Sequence, residues 1–212
     1  MNGKMSSAFA LVSACAFAAT SAGAQAPAST TSECDLDVYP ADRLHSVGED
    51  FDAVHGLDQD LDHYYAVAGR PLDWLTTRRQ IDLLKGLPFG ELSGVETARL
   101  DLHTRPLNRA EALAPGPRSA EAACVFEIYI PQIILERGGL SSRSLRIFGV
   151  ARRYDQGKLT QSYRSYAAAP MTGFQLRSPA DASTATQLIE TAYVEAVRTF
   201  LHNSTQRRQG IR

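Results

Sequence analysis

No Gly-x-Ser-x-Gly elbow occurs in this sequence, so the strained turn that presents a serine nucleophile in α/β-hydrolases is missing. The paired glycines Gly138 and Gly139 lie between predicted strands with no helix behind them, which leaves no helix N-terminus to receive a phosphate. Calcium by an EF-hand is ruled out by spacing. Asp58-Gln59-Asp60-Leu61-Asp62 opens like a calcium loop, but His63 stands where glycine is needed and Gly69 where a bidentate glutamate is needed. The histidines at 45, 55, 63, 103 and 202 fall in unrelated contexts, and no cofactor is expected. Beyond the N-terminal region, no apolar run approaches the roughly 20 residues of a membrane-spanning helix.

What the chain does carry first is an export signal. A single cation, Lys4, precedes an uncharged run of small and apolar residues from Met5 to Ala19, the n-region and h-region of a signal peptide. Ala22-Gly23-Ala24 and Ala24-Gln25-Ala26 fit the small-x-small pattern, placing cleavage after Ala24 or Ala26 and making residues 1–26 the signal. Val12-Ser13-Ala14-Cys15 matches a competing pattern, a lipobox whose Cys15 becomes a lipid anchor. Continuation of the apolar run through Ala16, Phe17 and Ala18 suits an ordinary signal better. The expected location is therefore the periplasm of a Gram-negative envelope or the medium outside it, with a membrane-anchored lipoprotein as the alternative. Residues 27–33 read as a flexible leader.

Of three cysteines, Cys34 and Cys124 survive either processing route, and an even pair in an oxidising compartment points to a disulfide. The net charge of −1 hides a lopsided distribution. Acids crowd the stretch from Asp35 to Asp62, whereas Arg137, Arg143, Arg146, Arg152, Arg153, Lys158, Arg164 and Arg177 dominate later. Such segments either neutralise one another in the fold or leave a basic surface for an anionic partner.

Leu36 and Val38 alternate with Asp35, Asp37 and Tyr39 in a first strand. Helical spacing follows from Leu57 to Ala68, and again from Asp73, a candidate N-cap, to Lys85. Ala98, Leu100 and Leu102 alternate with Arg99, Asp101 and His103 in another strand. Arg105 to Arg118, with three prolines, reads as a mobile loop. Three strands then form a meander: an apolar one from Cys124 interrupted by Pro131, one around Leu145 to Arg152, and one from Leu159 to Tyr166. From Asp181, an unbroken three-four rhythm through Leu201 makes one apolar face of a long helix.

The order strand, two helices, strand, three-strand meander, helix defines a single α+β domain over residues 34–203. Its sheet is mostly antiparallel and covered on one face by helices, with residues 204–212 as a frayed basic tail. In element order it is similar to small envelope-assembly modules of Gram-negative bacteria, though no motif carries the likeness. Arg146, Arg152, Arg164 and Tyr166 are expected to share the sheet face opposite the terminal helix and to serve a partner. Catalysis finds little support: His103 and Asp101 both fall on the polar face, and no catalytic residue is assigned. The leading expectation is a non-enzymatic envelope protein acting through protein contacts or self-association, with no nucleic-acid partner. The alternatives are a hydrolase with dispersed catalytic residues or a metal site at His55, Asp58, Asp62 and His63, and a carrier with a pocket lined by Phe126, Tyr193 and Phe200.

Overall fold

The computed structural model describes residues 33–46, 73–118, 122–137, 143–174 and 179–209. In strand β1 (Cys34–Tyr39), Leu36 and Val38 are fully buried on one face of a sheet, so alternation turns Asp35, Asp37 and Tyr39 to the other. β1 lies inside the sheet. It pairs in parallel with β3 (Thr97–Leu102) on one side and with β4 (Cys124–Arg137) on the other. β4, β5 (Arg143–Asp155) and β6 (Lys158–Pro170) form the antiparallel meander. The order is β3-β1-β4-β5-β6, with the short β2 (Leu44–Ser46) pairing β4 beyond the end of β1. The protein is thus α+β with a mixed sheet whose longest ladders are antiparallel.

Pro131 lacks an N–H, and the sheet accommodates it twice over. The β4–β5 register shifts between Tyr129 and Gln132, while on the opposite side β1 ends against Tyr129 and β2 begins against Ile133. The proline therefore sits where no ladder bond is asked of it. The β5–β6 hairpin turns through Gln156 (φ 51°) and Gly157 (φ 75°), two left-handed residues whose backbone twist matches that of the flanking strands.

One face of the sheet is covered by helices. α1 (Thr77–Leu84) starts at Thr76, whose hydroxyl accepts the Arg79 N–H at 3.3 Å, and not at Asp73, which lies in a separate turn. Buried Gln80 donates to the carbonyls of Ala41 and Leu75 and accepts the Ala41 N–H, tying α1 to the β1–β2 connection. α2 (Phe89–Ser93) ends in left-handed Gly94. α4 (Ala182–Gln209) lies against β5 and β6 and buries Ala185, Ile189, Ala192, Tyr193, Ala196, Val197, Phe200 and Leu201. Gly149 of β5 permits this approach, since a Cβ there would stand 2.6 Å from the Phe200 ring.

The expectation of a frayed tail from residue 204 is corrected. α4 continues to Gln209 because Ser204 is buried and Thr205 donates to the Leu92 carbonyl at 3.0 Å, docking this last stretch on α2. No described helix is long and apolar enough to cross a membrane.

Candidate functional site

The face opposite the helices carries the polar chemistry. Register places Asp101, Asp37, Glu127, Arg152 and Ser162 in one row across β3, β1, β4, β5 and β6. Three carboxylates in adjacent register repel one another, and two of them, Asp37 and Glu127, are buried. Each needs compensation. Glu127 accepts from the Arg118 backbone N–H and from the Tyr129 hydroxyl. Asp37 meets His103, whose Nε2 stands 2.8 Å from its Oδ1. Its second oxygen, Oδ2, is buried without a partner.

His103 is positioned by the continuing ladder and by stacking. Its backbone N–H donates to the Val38 carbonyl at 2.9 Å, and its ring lies on Tyr39 with centroids 4.0 Å apart and planes 2° from parallel. Tyr39 stacks in turn on Tyr129 at 5.1 Å. Burial, followed by the charges of Asp37 and Glu127, pushes the Tyr39 hydroxyl above its ordinary range. Tyr129 is raised by burial and by its hydrogen bond and proximity to Glu127.

The stretch expected to be a mobile loop roofs this region instead. β3 and β4 are both parallel to β1 and flank it, so the chain between them has to pass over β1. On the way it forms α3 (Arg109–Leu113), whose start is a capping box in which Asn108 and Glu111 each accept the other's backbone N–H at 2.9 Å. Leu107 and Ala112 pack with Tyr39, Tyr129, Phe148 and Val150 in a second apolar cluster. The Arg109 guanidinium lies over the Phe148 ring, and the Tyr154 hydroxyl donates to the Gly116 carbonyl at 3.0 Å.

Of the residues expected to bind a partner, all four lie on this face, but they do not form one surface. Arg152 is buried beneath the roof, donating to the Ala114 carbonyl and lying over the Tyr129 ring. Arg146, Arg164 and Tyr166 lie on the uncovered half, where Arg146 pairs with Glu136 at 2.9 Å and lies over Tyr166. Cys34 and Cys124 form a disulfide between the facing ends of β1 and β4, on the helix-covered side. His55, Asp58, Asp62 and His63 lie outside the described residues. The carrier pocket is corrected: Tyr193 and Phe200 are completely buried core. Phe126 borders a groove of about 640 Å³ beside Gln161, Tyr163 and Arg207.

Sequence reasoning passed over the row itself. Its signals were the acids of β1 opposite Leu36 and Val38, and Glu127 as the one charge within the apolar run from Cys124 to Leu135.

No protein-family model and no curated protein matches the chain. Among solved structures it is similar to protein XCC0632 from Xanthomonas campestris, of family DUF330, at 10% identity and TM-score 0.38, over 87% of this chain and 93% of that one. It is also similar to protein CT253 from Chlamydia trachomatis (9% identity, TM-score 0.34, 84% and 97% covered). A third likeness is to lipoprotein GNA1162 from Neisseria meningitidis (14% identity, TM-score 0.25, 74% and 96% covered). At these scores no residue role passes from those proteins to this chain.

Proposed function

We propose that the chain is an exported protein of the cell envelope that works by binding protein through the β6 edge and the uncovered half of the polar face, a second copy of itself being the first partner to test. The carrying observation is β6. It runs for 13 residues and pairs with β5 on one side and, among the described residues, with nothing on the other. Such an edge presents a row of backbone donors and acceptors, which proteins usually guard with lysine, proline or a bulge. Here lysine and proline stand only at the two ends, Lys158 and Pro170, the bulge falls at Thr160 beside the hairpin, and Arg164 is the sole charge between the ends. Tyr166 and Leu159 add exposed apolar surface to the same strand.

An incoming strand gains affinity from main-chain bonds and selectivity from alternate side chains, which on the polar face of β6 are Ser162, Arg164, Tyr166 and Ala168. Export is supported by the charge-free N-terminal run and by a disulfide suited to an oxidising compartment. Light scattering on the mature protein is expected to report a dimer or larger assembly. Ser162→Lys with Ala168→Lys, both exposed, is expected to return a monomer with its melting temperature unchanged. A wild-type monomer that also retains nothing from envelope extract overturns the reading.

A further inference from the structure

We propose that Asp37, Asp101 and His103 form a site for a divalent transition-metal ion, independent of the β6 edge. Asp37 and Asp101 face each other directly across the parallel β1–β3 ladder, an arrangement that like charges make unfavourable unless a cation lies between them. His103, two residues beyond Asp101 on the same side, brings its Nε2 to 2.8 Å from Asp37 Oδ1 and 4.0 Å from Asp101 Oδ2. One donor atom from each of the three residues falls within 4.8 Å of the others.

The second observation is independent of this clustering. Asp37 is 1% exposed, yet its Oδ2 has no hydrogen-bond partner. A carboxyl oxygen left bare in the interior costs free energy that a metal ion bound by this side chain would recover. Burial is graded across the site, since the Asp37 side chain is 2% exposed, that of His103 29% and that of Asp101 50%. The graded exposure leaves an entry path on the Asp101 side. Stacking on Tyr39 fixes the imidazole plane, as a supporting group does around a metal-bound histidine.

The donor set names the class of ion. One imidazole nitrogen and two carboxylate oxygens suit zinc or a neighbouring first-row ion better than calcium or magnesium, which favour all-oxygen shells. Three protein donors leave at least one position open to water or to a group from a partner.

Zinc chloride titrated into the purified, chelator-treated protein in a calorimeter is expected to bind one ion per chain with micromolar or tighter affinity. Loss of even a supporting partner weakens metal binding by about 10–100-fold, so Asp101→Asn and His103→Gln are each expected to weaken zinc by at least that much. Asp101→Asn is the cleaner variant, because that residue is half exposed and its change leaves the melting temperature of the metal-free protein within a degree or two. With cobalt in place of zinc, visible absorption reports a mixed nitrogen–oxygen shell that His103→Gln abolishes. Absence of one-to-one zinc binding by the wild type overturns the proposal. Zinc binding that survives both substitutions overturns it equally, and assigns the ion to another group such as His55, Asp58, Asp62 and His63.

Discussion

The two faces of the sheet are held by different physics. On the helix side, Leu36, Val38, Phe126, Ile128, Ile147, Ile189 and Phe200 make one continuous apolar layer, and the few polar groups there, such as Gln80 and Tyr193, bond to each other. On the other side a short roof covers a row of charges, and the apolar cluster is small. The apolar layer and its disulfide hold the sheet from the helix side, whereas buried carboxylates opposite it carry a desolvation cost that their partners must offset. Glu127 has such partners in the Arg118 N–H and the Tyr129 hydroxyl, but Asp37 keeps one oxygen without any, so Asp37 is the residue whose presence most needs a function.

The contrast breaks most visibly if the helix side is loosened. The disulfide closes a span of 90 residues, so replacing both Cys34 and Cys124 with alanine is expected to lower unfolding free energy by about 3–5 kcal/mol in the chain-entropy account. Urea unfolding reads this directly. A loss below about 1 kcal/mol would mean that apolar packing alone secures β1 against β4.

Glu127→Ala probes the other side. It strands the buried Tyr129 hydroxyl and removes the acceptor of the Arg118 N–H, and an unsatisfied buried group costs about 1–3 kcal/mol. The unfolding midpoint should fall, and hydrogen exchange in the roof should rise while α4 exchange is unchanged. Equal loosening of α4 would show that the two faces are one cooperative unit.

Much of the helix side was legible in the sequence. The three-four rhythm from Asp181 and the alternation of Leu36 with Val38 are periodic signals that burial imposes directly. Two errors there were local. Thr76 took the cap from Asp73 because Thr76 lies in extended backbone beside the first turn and its hydroxyl accepts the Arg79 N–H, and the last helical turns gained stability from α2, a tertiary contact with no local signature. The polar side was hidden for a different reason. Whether Arg105–Arg118 is a loose loop or a roof depends on β1 inserting between β3 and β4, and strand order is not written in periodicity. Arg152, which reads as a surface cation, was buried by that same crossover.

Alkali sharpens the comparison at smaller amplitude. Tyr193, on the helix side, is raised by burial alone, whereas Tyr39 and Tyr129 are raised by burial and then by neighbouring carboxylates. All three keep their protons in the folded state at a pH where the unfolded chain has begun to lose them, about 10. The unfolded state then binds fewer protons, so stability is complete below that pH and declines above it, by about 1.4 kcal/mol per pH unit for each tyrosine. Tyr193→Phe should remove one share of the slope. Glu127→Gln should leave the Tyr193 share intact and bring the onset for Tyr129 to lower pH, a split that spectrophotometric titration resolves.

The smallest effect is expected on the uncovered half of the polar face. Arg146 and Glu136 are both solvent-accessible, and exposed pairs of this kind contribute about 0–1 kcal/mol. Arg146→Ala should therefore leave the unfolding midpoint nearly unchanged, while it removes both the ion pair and the cation lying over Tyr166. If light scattering shows the assembly weakened by a substitution that stability does not register, the residue serves an interface and not the fold. A midpoint shift as large as that of Glu127→Ala would instead make Arg146 part of the scaffold, and the division between a structural roof and an open binding surface would fail at that point.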